Sequence, residues 1–113
     1  MPQVFSPNQR AIDKSTYVII ASFFDEDDNA VTPNSGLNWT LSKLDGTIIN
    51  SRSAVSITPG TSITIVLSGS DLDYDDGPER VLTIQGTYES DLGSELPFKD
   101  QVRFTVQDLI AVN

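Results

Sequence analysis

The stretch Thr16-Tyr17-Val18-Ile19-Ile20-Ala21-Ser22-Phe23-Phe24 (TYVIIASFF) decides how the chain is read. β-Branched and aromatic residues dominate it, which favours a pleated strand. Both alternating sets are apolar: Tyr17, Ile19, Ala21 and Phe23 on one side, Val18, Ile20 and Phe24 on the other. A strand of this kind is covered on both faces, or one face waits for a partner. Tyr17, Ile19 and Phe23 are therefore singled out as a candidate protein-contact face.

On either side of this run the same period-two pattern recurs, broken by turn chemistry and never by a sustained helical repeat. The acidic turn Asp25-Glu26-Asp27-Asp28-Asn29 ends the strand. After Pro33-Asn34-Ser35-Gly36 the chain resumes over residues 37–44, with Leu37, Trp39 and Leu41 on one phase. Trp39 is the expected core anchor there. Asp45-Gly46 is a two-residue hairpin signal that returns the chain through residues 47–50. Residues 54–58 read as a short strand, and Pro59-Gly60 turns the chain into residues 62–67, where Ile63, Ile65 and Leu67 alternate inward.

A long polar crossover, Ser68-Gly69-Ser70-Asp71-Leu72-Asp73-Tyr74-Asp75-Asp76-Gly77-Pro78, follows. A helical turn is expected around Asp71-Leu72, with Leu72 or Tyr74 plugging the core at that corner. Two more strands are read at residues 80–88 and 99–106, joined by a loop at 89–95. Val102, Phe104 and Val106 point inward on the second of them. With a short strand somewhere in residues 3–12, this makes about seven strands in roughly 100 residues. The expected fold is an all-β immunoglobulin or fibronectin type III-like antiparallel β-sandwich, with another small β-barrel or jelly roll as the competing architecture, one domain over residues 1–113, with residues 1–12 an N-terminal arm or a short edge strand.

Composition narrows the function. The chain has 113 residues and neither Cys nor His, so a disulfide framework, a Cys-ligated zinc site and a triad with an imidazole base are excluded. A formal net charge of −9 repels nucleic-acid phosphates and anionic membrane surfaces. Neither is expected as a partner. No basic start followed by an apolar core opens the sequence, and no apolar run approaches the ~20 residues that span a bilayer.

Half of the 16 acidic residues fall in two clusters, at 25–28 and at Asp71, Asp73, Asp75 and Asp76. Closely spaced carboxylates suit a hard cation such as Ca²⁺. The second cluster begins like an EF-hand loop, but Gly77 comes one position late and Leu82 stands where the bidentate Glu belongs. In the expected strand order the two clusters lie at opposite ends of the domain. A calcium site would instead join Asp25, Asp27 or Asp28 to Asp91 or Glu95; solvated turns are the competing reading, and no cofactor is assigned. Ser and Thr residues lack both a His base and a Gly-x-Ser-x-Gly elbow, so no catalytic residue is assigned and enzyme activity is not expected. The seven basic residues, scattered from Arg10 to Arg103, read as solubilising surface charge.

Residues 79–110, ERVLTIQGTYESDLGSELPFKDQVRFTVQDLI, together with residues 25–40, resemble small immunoglobulin-like proteins encoded among the virion structural genes of tailed bacteriophages. The resemblance carries no motif with an assigned functional residue. It implies a non-enzymatic virion component, made in the host cytoplasm, that decorates or cements the capsid or sits at the neck or tail. Its partners would be other virion proteins, with self-association a further option. The alternative of another class is an extracellular, calcium-stabilised adhesin or carbohydrate-binding module.

Overall fold

The computed structural model describes residues 11–107 and, as backbone, residues 3–7. Eight strands are formed in this part of the chain: β1 (Gln3–Pro7), β2 (Ala11–Ile12), β3 (Thr16–Phe23), β4 (Asn38–Ser42), β5 (Val55–Ser56), β6 (Ser62–Ser68), β7 (Glu79–Ser90) and β8 (Gly93–Gln107). They make a three-stranded sheet in the order β1-β3-β6 and a five-stranded sheet in the order β2-β8-β7-β4-β5. All pairings are antiparallel except one. β2 runs parallel to β8, with Ala11 beside Val106, so the larger sheet is mixed and not purely antiparallel as expected.

Strand alternation explains the core. In β6 the buried residues are Ile63, Ile65 and Leu67, and in β3 they are Tyr17, Ile19, Ala21 and Phe23. From the larger sheet come Trp39, Leu41, Leu82, Ile84, Tyr88, Phe98 and Val106. The inner faces of the two sheets therefore meet over one apolar core. Aromatic rings bridge the layers: Tyr17 lies 4.8 Å from Phe104 and Phe23 lies 5.7 Å from Phe98, measured between ring centroids. Each aliphatic or aromatic side chain fully buried here contributes roughly 1.5–3 kcal/mol.

Gly86 shows why one strand position stays bare. It pairs with Phe98, and a Cβ built on it would lie 3.1 Å from the Leu37 side chain and 3.3 Å from the Phe98 ring. The ring packs over the glycine, where a larger residue would force the Leu37 and Phe98 side chains to shift by a few tenths of an ångström.

Several connections depart from the sequence expectation. β7 and β8 continue past the expected loop at 89–95, with Ser90 paired to Gly93 around Asp91-Leu92, so they form one long hairpin. Asp45-Gly46 does turn the chain, with Gly46 at φ 91° and the Asp45 carboxylate accepting from the Thr47 amide at 2.9 Å. Its return leg makes a single bridge, Ser42 to Ile48, instead of a strand. Pro59-Gly60 carries the chain from one sheet to the other, since β5 pairs with β4 and β6 pairs with β3. In the crossover, 3-10 turns form at Gly69–Leu72 and Tyr74–Asp76; Leu72 is the buried plug and Tyr74 remains exposed. The reading of residues 1–12 as arm or strand falls partly outside the described residues. Within them, Gln3–Pro7 pairs with β3 and Ala11–Ile12 with β8.

Candidate functional site

The first acidic turn is occupied by its own backbone. Asp25 Oδ1 accepts from the amides of Asp27 and Asn29, both at 2.9 Å, and this closes the turn locally. Glu26 reaches the far end of β7, where the Tyr88 hydroxyl donates to its carboxylate at 3.3 Å. Its own backbone amide, with Ser90 and Tyr88, holds the Glu26 carboxyl below its usual range. Burial, and then the nearby Glu26 charge, pushes the Tyr88 hydroxyl up. Asp91 and Glu95 belong to the β7-β8 hairpin, both exposed. Among the described residues, no three acidic side chains converge as a metal site requires. Asp25, Asp27, Asp28, Asp91 and Glu95 thus do not converge as a metal-binding group, and the Asp25 carboxylate is engaged by backbone amides of its own turn.

The second acidic cluster divides into unlike parts. Asp71 is fully buried, against the expectation of a solvated turn. Its Oδ1 accepts from Arg52 Nε and Asn50 Nδ2, both at 2.9 Å, and its Oδ2 accepts from the Ser68 amide at 3.1 Å. Burial is the largest influence and pushes this carboxyl up, but the bonds from Arg52, Asn50 and Ser68 together outweigh it, and the net shift is downward. Arg52, partly exposed, also lies 5.9 Å over the ring of Trp39.

Arg80 corrects the reading of all basic residues as surface charge. It is 0% exposed. Its Nη1 donates to the carbonyls of Gly77 (2.7 Å) and Glu79 (3.0 Å), its Nη2 to Asp73 (2.6 Å), and its Nε to Asp71 (3.2 Å). Burial lowers its affinity for the proton, and the charges of Asp76 and Asp73 offset part of that. The guanidinium thus organises the crossover from inside. One sequence signal was available: Arg80 shares the phase of Leu82 and Ile84, the inward phase of the strand. For Asp71 the signal is Ser68-x-x-Asp71, the spacing at which a side chain reaches back to a capping amide.

Tyr17, Ile19 and Phe23, expected to carry a protein contact, are 4%, 0% and 0% exposed. They face the other sheet, so the contact they make is intramolecular. The outward face of the small sheet belongs to the alternate residues: Val18, Ile20 and Ser22 on β3, with Val66, Thr64 and Ser62 opposite them on β6. Ile20 is 37% and Val66 53% exposed. Ser22 and Ser62 hydroxyls share a hydrogen bond of 2.9 Å at one end.

Charge separates the two sheets. No charged residue occurs in QVFSP, TYVIIASF or SITIVLS, the three strands of the small sheet, although 20% of the chain is charged. The larger sheet instead carries Glu79, Arg80 and Glu89 on β7 and Glu95, Lys99, Asp100 and Arg103 on β8. Concave surface is shallow by comparison: a depression of about 310 Å³ lined by Thr83, Lys99, Asp100 and Gln101 lies open on the β7-β8 hairpin. No helix among the described residues is long and apolar enough to cross a membrane. No protein-family model, no curated protein and no solved structure matches the chain.

Proposed function

We propose that this chain is a non-enzymatic, immunoglobulin-like binding module that works by docking its small sheet against other proteins. The observation that carries the reading is the uncharged outward face of that sheet, with Val18, Ile20 and Val66 at its centre, on a chain of net charge −9. Desolvating such a face costs little, whereas the acidic remainder keeps the free subunit soluble and favours a basic rim on the partner. Support for the immunoglobulin-like reading comes from the strand order, in which the first, third and sixth strands make one sheet and the second, fourth, fifth, seventh and eighth the other.

The setting we propose is the virion of a tailed bacteriophage, as a capsid decoration or cement subunit or a neck or tail component, in line with the resemblance of residues 79–110 and 25–40. Quantitative mass spectrometry of purified particles from the phage that encodes the chain tests the setting. A near-stoichiometric signal relative to the major capsid protein is expected for a cement subunit, and a few copies for a neck or tail component. Absence overturns the virion assignment. Ile20→Lys tests the surface: it should block incorporation while the melting temperature holds, and normal incorporation would overturn the docking face.

A further inference from the structure

We propose that two copies of this chain pair through the open edge of β6, antiparallel and centred on Ile65, to make one continuous six-stranded sheet. This deepens the proposed function, resting on the small sheet as the binding surface. The hydrogen-bond phase of β6 sets which groups are free. The Phe23 amide donates to the Thr61 carbonyl and the Gly69 amide to the Ser15 carbonyl, so residues 61, 63, 65, 67 and 69 bond across to β3. Ser62, Thr64 and Val66 therefore aim their amides and carbonyls away from β3, and among the described residues no strand pairs on that side. Only the Ser68 amide is taken, by Asp71.

An open edge of this kind is a template for another strand, and proteins ordinarily blunt it with charge or proline. The exposed stretch of β8 follows that rule, with Pro97, Lys99, Asp100 and Arg103. β6 has neither. Its sequence, Ser62-Ile63-Thr64-Ile65-Val66-Leu67-Ser68, is close to a chemical palindrome about Ile65. Antiparallel self-pairing about that residue sets Ser62 against Ser68, Ile63 against Leu67 and Thr64 against Val66. Inward residues meet inward residues, outward residues meet outward ones, and the Thr64–Val66 pair exchanges the free amides and carbonyls.

The near-palindrome, not charge, points to a second copy as the occupant, because a strand symmetric about Ile65 pairs with its own copy in register. A strongly acidic chain repels itself, yet no charge lies on β3 or β6; the nearest acidic residues sit beyond the strand ends, at 25–28 after Phe23 and at Asp71, Asp73, Asp75 and Asp76 after Ser68. The strand-to-strand seam itself thus sets no charged side chains against each other. Because the remaining repulsion is long-range, added salt tightens the dimer instead of weakening it.

Sedimentation equilibrium of the full chain over a concentration series is the test. The expected result is a mass rising from 12.3 kDa towards twice that value, at lower concentration in higher salt. Val66→Lys and Thr64→Pro should each return the monomer with its melting transition intact, the proline removing an amide that β3 does not use. The chain has no cysteine, so mixing Thr64→Cys with Val66→Cys protein under oxidation reads the register directly: the mixed disulfide dimer should outnumber either self-linked species. A monomer at every concentration, a dimer untouched by both variants, or preferential self-linking each overturns the pairing. A monomeric chain still incorporated into particles sinks the pairing and leaves the docking face standing. A β6 dimer indifferent to Ile20→Lys in its partner binding does the reverse.

Discussion

The Arg80 guanidinium donates to the main-chain oxygen of Asp71 at 3.2 Å, while the Asp71 carboxylate turns away and is held by Arg52 at 2.9 and 3.3 Å. Two fully buried, oppositely charged residues thus touch without forming a salt bridge. Arg80 spends its donors on three carbonyls of the crossover and that of Glu79 at the start of β7, and Asp71 anchors the crossover to the loop carrying Asn50 and Arg52.

Replacing Arg80 by Met keeps the apolar stem and leaves those carbonyls without their donor. The expected loss is about 3 kcal/mol or more in urea unfolding. Lys at this position should recover only part of it, because one ammonium does not span four acceptors arranged around a planar fork.

Asp71 sets an acid limit. Its folded value lies below the unfolded value of about 3.9, so its contribution is complete above that pH and is lost as pH falls through the lower folded value. Arg52→Gln removes the largest opposing influence and lets burial dominate. The acid-unfolding midpoint, followed by circular dichroism, should then move to higher pH.

Gly86→Ala should destabilise through overpacking, by about 1–3 kcal/mol, since Leu37 and the Phe98 ring must both give way. Thermal unfolding measures it. A partner change of Phe98 to Leu should relieve part of the cost.

Neighbouring residues of β3 should respond in opposite ways to the same change. Ile19→Lys buries an unpaired charge at a position 0% exposed and should abolish folding. Ile20→Lys, on the outward face, should shift stability by no more than about 1 kcal/mol. Circular dichroism and melting of the purified variants decide between them.

Asp25→Ala withdraws the acceptor for two amides and should cost about 1 kcal/mol. Millimolar Ca²⁺ should leave the melting temperature of the parent chain unchanged. A reversible rise of several degrees would restore a metal role for this turn.

What was legible in the sequence follows from where one physical signal dominates. In β6 three of the four outward positions are Ser or Thr, with Val66 the exception, so the sequence sets Ile63, Ile65 and Leu67 inward, and the same alternation holds for Trp39 and Leu41. β3 gives no such answer. With both phases apolar, nothing local says which faces the core, and the structure puts Tyr17, Ile19 and Phe23 inward and leaves Val18 and Ile20 on the outer face. Arg80 was missed because a charged residue is normally at the surface, and only the carbonyls gathered by the crossover make its burial tolerable. The pairing of β2 with β8 joins residues far apart along the chain, and no local pattern announces it.

That last pairing also orders the assembly of the fold in time. The β7-β8 hairpin closes over the tight Asp91-Leu92 connection and then extends residue by residue, so its contacts are entropically the cheapest to form. Ala11 meeting Val106 closes a loop of nearly the whole described chain, and it gains only a two-residue ladder in return. On loop-closure entropy the hairpin is expected to form early and the clasp between β2 and β8 to close last.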